Sequence, residues 1–353
     1  MKKLRSTVIR LGLETMAATG AYRLLAPVTG GVGFILMLHH VRPAKPAAFQ
    51  PNRHLEITPS FLEAVLTNLR ACGIDIVSLD EARRRLTAQQ FERRFAAFTF
   101  DDGYRDNRDY ALPIMRRFDA PMTVYVASDF AAGTGRLWWV ALERIVAKSE
   151  AITLPLDGVE VVRIEAATDA QKQDAFVRLH DHFRRLPTDR DINAAVGMLA
   201  RRCGVDDAAI SRELCMSWDE LKAFATDPLV TIGAHTITHC NLAHEQADQA
   251  HREISASRER IAAVLEQPVN HFAYPYGDKA AAGRREFDTT AALGFHSAVT
   301  TRPGMLFPSH ADHLNALPRL SLNGNFQTER ALSVLTSGAA TALWNGFRRI
   351  DVR

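Results

Sequence analysis

The chain has 353 residues, 47% of them apolar and 24% charged, with 43 lysines and arginines against 40 acids and a net charge of +3. That is enough apolar material for one large domain, with or without an insertion. So even a charge balance gives no reason to expect nucleic acid as a partner, and no nucleic-acid-binding module signature occurs. Short clusters such as Arg83-Arg84-Arg85 and Arg201-Arg202 read as solvated helix faces. Cys72, Cys203, Cys215 and Cys240 form no CxxC pair and are expected as reduced thiols.

Met1 to Arg5 is basic, but Arg10, Glu14 and Arg23 break up the apolar residues after it, and no small-residue cleavage site succeeds an apolar run. Val8 to Leu25 is therefore expected as an amphipathic helix within an N-terminal segment, residues 1–32. Its plain reading is packing against the domain; its sharper one is peripheral contact with a membrane. No run is long and apolar enough for a membrane-spanning helix. The expected location is the cytoplasm, peripheral to the inner membrane face.

Short apolar runs recur from there on. Gly33 to Leu38 ends in His39-His40. Phe95 to Phe100 ends in Asp101-Asp102-Gly103, and Met122 to Ala127 in Ser128-Asp129. Leu229 to Gly233 leads to Ala234-His235, Val269 to Tyr274 to Pro275-Tyr276-Gly277, and Phe295 to Val299 and Leu317 to Leu322 come after. Helical patterns lie between them, over Ser60 to Cys72, Leu79 to Leu86 and Glu245 to Leu265, with apolar residues at the 3.6-residue period. Continuous apolar strands alternating with amphipathic helices predict a parallel sheet covered by helices, and over this length an α/β fold closed as a (β/α) barrel. The barrel is expected over residues 33–335, with a C-terminal tail at 336–353. The stretch 136–222 is too long for a simple crossover and reads as a mainly helical insertion carrying a short hairpin near Ile152 to Ile164. The Trp138-Trp139 pair in it reads as packing, or as a platform for a sugar ring.

Polar residues capable of chemistry cluster just past the C-terminal ends of these runs, the face where barrel active sites form. Thr99 to Gly103 (TFDDG) sets two carboxylates side by side, an arrangement that needs a cation or a shared proton unless both acids are solvated in a turn. His235 and His239, four apart, can face one ion together on a helical turn; read alone, they equally suit two unrelated polar contacts. With one carboxylate they make a donor set for a zinc-class ion that leaves positions open. Phe272 to Gly277 (FAYPYG) holds a Pro-Tyr-Gly turn that can present a backbone N–H to an oxyanion.

Together, and in this order, TFDDG, HTITH and the PYG loop resemble the NodB-type polysaccharide deacetylases, carbohydrate esterase family 4, over roughly Gly33 to Leu322. His39-His40-Val41 and the FAYPYG loop resemble one subgroup of it. The resemblance implies a distorted (β/α) barrel and hydrolytic removal of N-acetyl groups from an N-acetylglucosamine-containing oligo- or polysaccharide. It implies Asp101 as general base, Asp102, His235 and His239 as ligands of a divalent ion, and the Tyr276 N–H as oxyanion donor. Zn2+ is the expected ion, with Co2+ or Mn2+ as alternatives. Many members supply the acid from a late Leu-x-x-His element, yet no histidine occurs beyond Arg319 here. The acid is then expected from His39, with His40 as alternate. Many members also carry a base-orienting arginine where this chain has Ala273, and Arg319 is the expected replacement. Two other readings stay open: a non-catalytic, metal-containing carbohydrate-binding protein, and a metal-dependent hydrolase of a non-sugar amide.

Overall fold

The computed structural model describes residues 2–156 and 159–350. Seven parallel strands form its centre: β1 (Gly33–Leu38), β2 (Phe95–Phe100), β3 (Met122–Val126), β4 (Val230–Ala234), β5 (His271–Ala273), β6 (Ser297–Pro303) and β7 (Leu317–Ser321). Each pairs with the next in chain order and β7 returns to β1, closing the barrel. A two-residue strand, Asp75–Ile76, lies along the first half of β2. β1 and β2 are buried along their whole length, because one face lines the barrel and the other meets helices. The polar exception, Thr99, is satisfied by donating its hydroxyl to the Leu36 carbonyl at 2.7 Å.

The covering helices obey the expected period. Pro59–Ala71 starts with proline in its first turn and a Thr58 side chain that accepts the Phe61 N–H. It buries Phe61, Leu62, Val65, Leu66 and Leu69, the face marked by the sequence. Leu79–Ala88 and Ala247–Leu265 pack likewise.

Between β3 and β4 the chain leaves the barrel for the helices Trp138–Lys148, Asp169–Phe183 and Asp189–Arg202, with a hairpin of Ala151–Leu156 and Val159–Glu165. Leu142, Ile145, Phe176, Leu179 and Ile192 give it an apolar cluster separate from that of the barrel. At the N-terminus, the single helix expected over Val8–Leu25 is two, Lys2–Thr19 and Ala21–Thr29. Gly20 breaks it at φ 69°, a left-handed conformation that costs glycine little. Ile9, Leu13 and Met16 pack on Phe326, Ala331 and Val334. No helix among the described residues is long and apolar enough to cross a membrane.

Candidate active site

Five barrel strands bring polar residues to one pocket of about 410 Å³ at the C-terminal end of the strands. His39 lies just past β1, Asp101 and Asp102 past β2, His235 and His239 past β4, and Tyr276 beyond β5; all line it. Thr301 of β6 lines it too, and Arg319 of β7 sits wholly buried beneath. The backbone is strained here. Asp102, Thr236, His239 and Tyr276 all have φ between 60° and 72°, a region that non-glycine residues avoid and that is costly for β-branched threonine. Asp102 and Gly103, both left-handed, turn the chain outward so that adjacent carboxylates share the pocket.

His235 and His239 do not lie on a helical turn, as their spacing suggests, but on an irregular loop. Side chains supply the hydrogen bonds a helix would have made. Glu253, buried on the helix Ala247–Leu265, accepts the N–H groups of Ile237 and Thr238 at 2.9 and 3.0 Å, and the Thr238 hydroxyl at 3.1 Å. Thr236 Oγ1 accepts the His239 N–H at 2.9 Å. The two rings still converge, with centroids 4.9 Å apart.

Asp102 Oδ1 lies 3.6 Å from His235 Nε2 and 3.3 Å from His239 Nε2. His235 Nδ1 donates to the Ala273 carbonyl at 2.7 Å, which fixes the tautomer and leaves the Nε2 lone pair facing Asp102. Burial keeps both imidazoles neutral, pushing His235 below its usual value and His239 well below. Burial, and then the Asp101 charge, raise Asp102 to about 8. Asp102 Oδ1 is buried with no hydrogen-bond partner. A buried carboxyl oxygen met by two neutral nitrogens needs a proton or a cation between them, and a cation can engage all three at once. The three residues form the one possible His/Cys/Asp/Glu metal group among the described residues, and they fit a divalent ion.

Asp101 has the opposite environment. Burial pushes its carboxyl up, but Arg319 outweighs this by charge and hydrogen bonding and holds it at about 2. Arg319 also donates to the Thr300 carbonyl at 2.8 Å and to Thr99 Oγ1 at 3.1 Å. His39 Nε2 stands 3.9 Å from Asp101 Oδ2. Burial lowers His39 to about 3 despite the Asp101 charge, so its ring rests neutral. His40, the alternate acid, faces elsewhere: its Nδ1 is 2.6 Å from Asp106 Oδ2 and its ring stacks on Tyr104.

The Tyr276 N–H has no acceptor within hydrogen-bond distance among the described residues, and the residue lines the pocket. Gly277 makes the turn possible, since a Cβ there would come within 2.7 Å of the Thr301 nitrogen. The Tyr276 hydroxyl donates to Asp189, whose other oxygen accepts the Asn241 N–H at 2.6 Å. Asp189 thus ties the insertion to both the histidine loop and the PYG loop. The motifs did not reveal Asp189 or Glu253. Trp138 and Trp139 line the pocket but are almost wholly buried, with Trp138 Nε1 donating to the Tyr276 hydroxyl at 3.0 Å. They shape the wall more than they offer a free stacking face.

Comparison with known proteins bears on the family and the fold. The polysaccharide deacetylase family model matches residues 88–295, more than half of the chain. No curated protein matches by sequence. Among solved structures, the Streptococcus pyogenes deacetylase PplD, in complex with acetate, is similar at a TM-score of 0.55 and 17% identity, covering 83% of this chain and 92% of that one. BC0361, a polysaccharide deacetylase from Bacillus cereus, gives 0.54 and 16%, with 86% and 68% covered. IcaB from Ammonifex degensii gives 0.53 and 16%, with 86% and 97% covered. At such identities these likenesses speak for the barrel fold, and with the family match and the three motifs in place, the chain belongs to the polysaccharide deacetylase family.

Proposed function

We propose that the protein hydrolyses N-acetyl groups from an N-acetylglucosamine-containing oligo- or polysaccharide, with a divalent ion held by Asp102, His235 and His239. The observation that carries this is the buried, unpartnered Asp102 oxygen facing two neutral imidazole nitrogens, one residue from a locked, ionised Asp101. Zinc suits the two-imidazole, one-carboxylate set, with cobalt or manganese as alternatives. Such an ion supplies Lewis acidity, making water more acidic and an amide carbonyl more electrophilic.

The chain's own groups do the rest. Asp101 is ionised across the neutral range and accepts a proton from the attacking water. The water oxygen bonds to the acetyl carbon, and the Tyr276 N–H donates to the oxyanion that results. His39, beside Asp101, relays that proton to the leaving nitrogen as the C–N bond breaks, giving a free amine and acetic acid, which ionises to acetate and passes its proton to the amine or to solvent. Burial disfavours its charged form, so a protonated His39 is a strong acid and a short-lived one. His39-His40-Val41 and the Phe272–Gly277 loop support placement in the subgroup that carries both elements. Acetate release from N-acetylglucosamine oligomers tests the proposal. Asp101→Asn should abolish release while the ion stays bound; release from simple amides but from no N-acetyl sugar would overturn the substrate assignment.

A further inference from the structure

The end of the barrel opposite the pocket carries an apolar surface that folding does not explain. Leu24 and Val28, one turn apart on the helix Ala21–Thr29, are 84% and 78% exposed. Leu343, Trp344 and Phe347, at the end of the helix Ala339–Trp344 and just past it, are each more than half exposed. The two segments are joined: the Thr29 hydroxyl donates to the Ser337 carbonyl at 2.9 Å, and Val28, Ala342 and Phe347 line one shallow cavity. Five of the nine large apolar residues most exposed among those described gather on these two neighbouring segments. Clusters of this kind mark interaction sites.

Charge identifies the partner. Residues 15–32 and 330–350 contain no acidic residue, while Arg348 and Arg349 line the same cavity as Val28 and Phe347. Tryptophan, phenylalanine and leucine rimmed by arginine suit the boundary between anionic headgroups and acyl chains. A second copy of this chain fits worse, because a symmetric contact through this face would set the arginines of both copies against one another.

We propose that this face rests on an anionic lipid bilayer. The membrane-facing residues are not those of the first helix, whose Leu13 is buried against the C-terminal helices. The helix Ala21–Thr29 leads directly into the start of β1, whereas Asp101 and His235 lie just past strand ends. Docked this way, the protein turns its pocket away from the lipid. It would act on glycan reaching out from the surface, not on a sugar lying flush with it.

Co-sedimentation of the full chain with vesicles tests this. Vesicles of phosphatidylcholine with phosphatidylglycerol should retain the protein at least about tenfold better than phosphatidylcholine alone, and 0.5 M salt should weaken retention. Trp344→Ser with Phe347→Ser, and separately Arg348→Glu with Arg349→Glu, should each lower retention about tenfold while acetate release from soluble oligomers is unchanged. Equal retention on both vesicle types, no retention, or variants that bind like the parent would overturn the proposal. So would a solution dimer that Trp344→Ser dissociates.

Discussion

Arg319 meets Asp101 with both ends of its guanidinium, Nη1 lying 2.7 Å from Oδ1 and Nη2 2.8 Å from Oδ2. The two residues come from strands on either side of β1, and neither touches water to any extent. This paired contact fixes the plane of the carboxylate and keeps it ionised.

Arg319→Met should therefore cost about 3–5 kcal/mol of stability, because it strands a buried carboxylate. Without the neighbouring cation Asp101 is harder to ionise, and the acid limb of the pH profile of kcat/KM should move to higher pH. Arg319→Lys keeps the charge but loses the fork, so it should unfold less readily and still turn over slowly. Chemical denaturation with a pH–rate profile checks both, and an acid limb that stays in place in Arg319→Met speaks against the pairing.

Metal binding should depend on pH with a definite sign. Asp102 is held at about 8 in the metal-free protein and must lose its proton to bind an ion, while both imidazoles are already neutral. Affinity should thus rise about tenfold per pH unit from 6 to 8 and level off above, with about one proton released per ion. Calorimetry in buffers of different ionisation heat measures that release. Affinity that does not change over this range would remove Asp102 from the ligand set.

Glu253→Gln replaces a carboxylate acceptor of the histidine loop with a neutral amide. Metal affinity should fall about 10–100-fold, the usual effect of losing a group that orients ligands. The barrel should stay folded, since the substitution is nearly isosteric. Unchanged metal affinity would show that the loop holds its shape without this contact.

Tyr276→Phe separates the side chain from the backbone. It removes a donor to buried Asp189 and should cost about 1–3 kcal/mol. The backbone N–H remains, so kcat should fall less than about tenfold. A loss as large as that of Asp101→Asn would mean that the hydroxyl itself takes part in the chemistry.

Much of the barrel was legible because its strands are buried on both faces and read as unbroken apolar runs; β1 and β2 begin and end where those runs do. β6 was less legible. It runs Ser297–Pro303, past the apolar run, because Thr300 and Thr301 satisfy their hydroxyls by bonding to Leu317 and Tyr276. The histidine spacing pointed to a shared ion but misjudged the backbone, since a loop held by Glu253 brings the rings together as well as a helix would. Glu253 did leave a signal: it falls on the apolar stripe of its helix with Ala250, Ile254, Ser257 and Ile261, where an unpaired acid is costly. Asp189 left none. In the first turn of a helix capped by Thr188, it reads as an acid placed for the helix dipole, and its contacts with Tyr276 and Asn241 are long-range.

Metal content per chain is the most direct measurement, made on protein equilibrated with zinc and freed of unbound ion, beside His235→Ala and His239→Ala variants shown to be folded. One ion per chain in the parent and almost none in either variant is the expected result. A parent without stoichiometric metal, or variants that keep it in full, would contradict the assignment of Asp102, His235 and His239 as one centre.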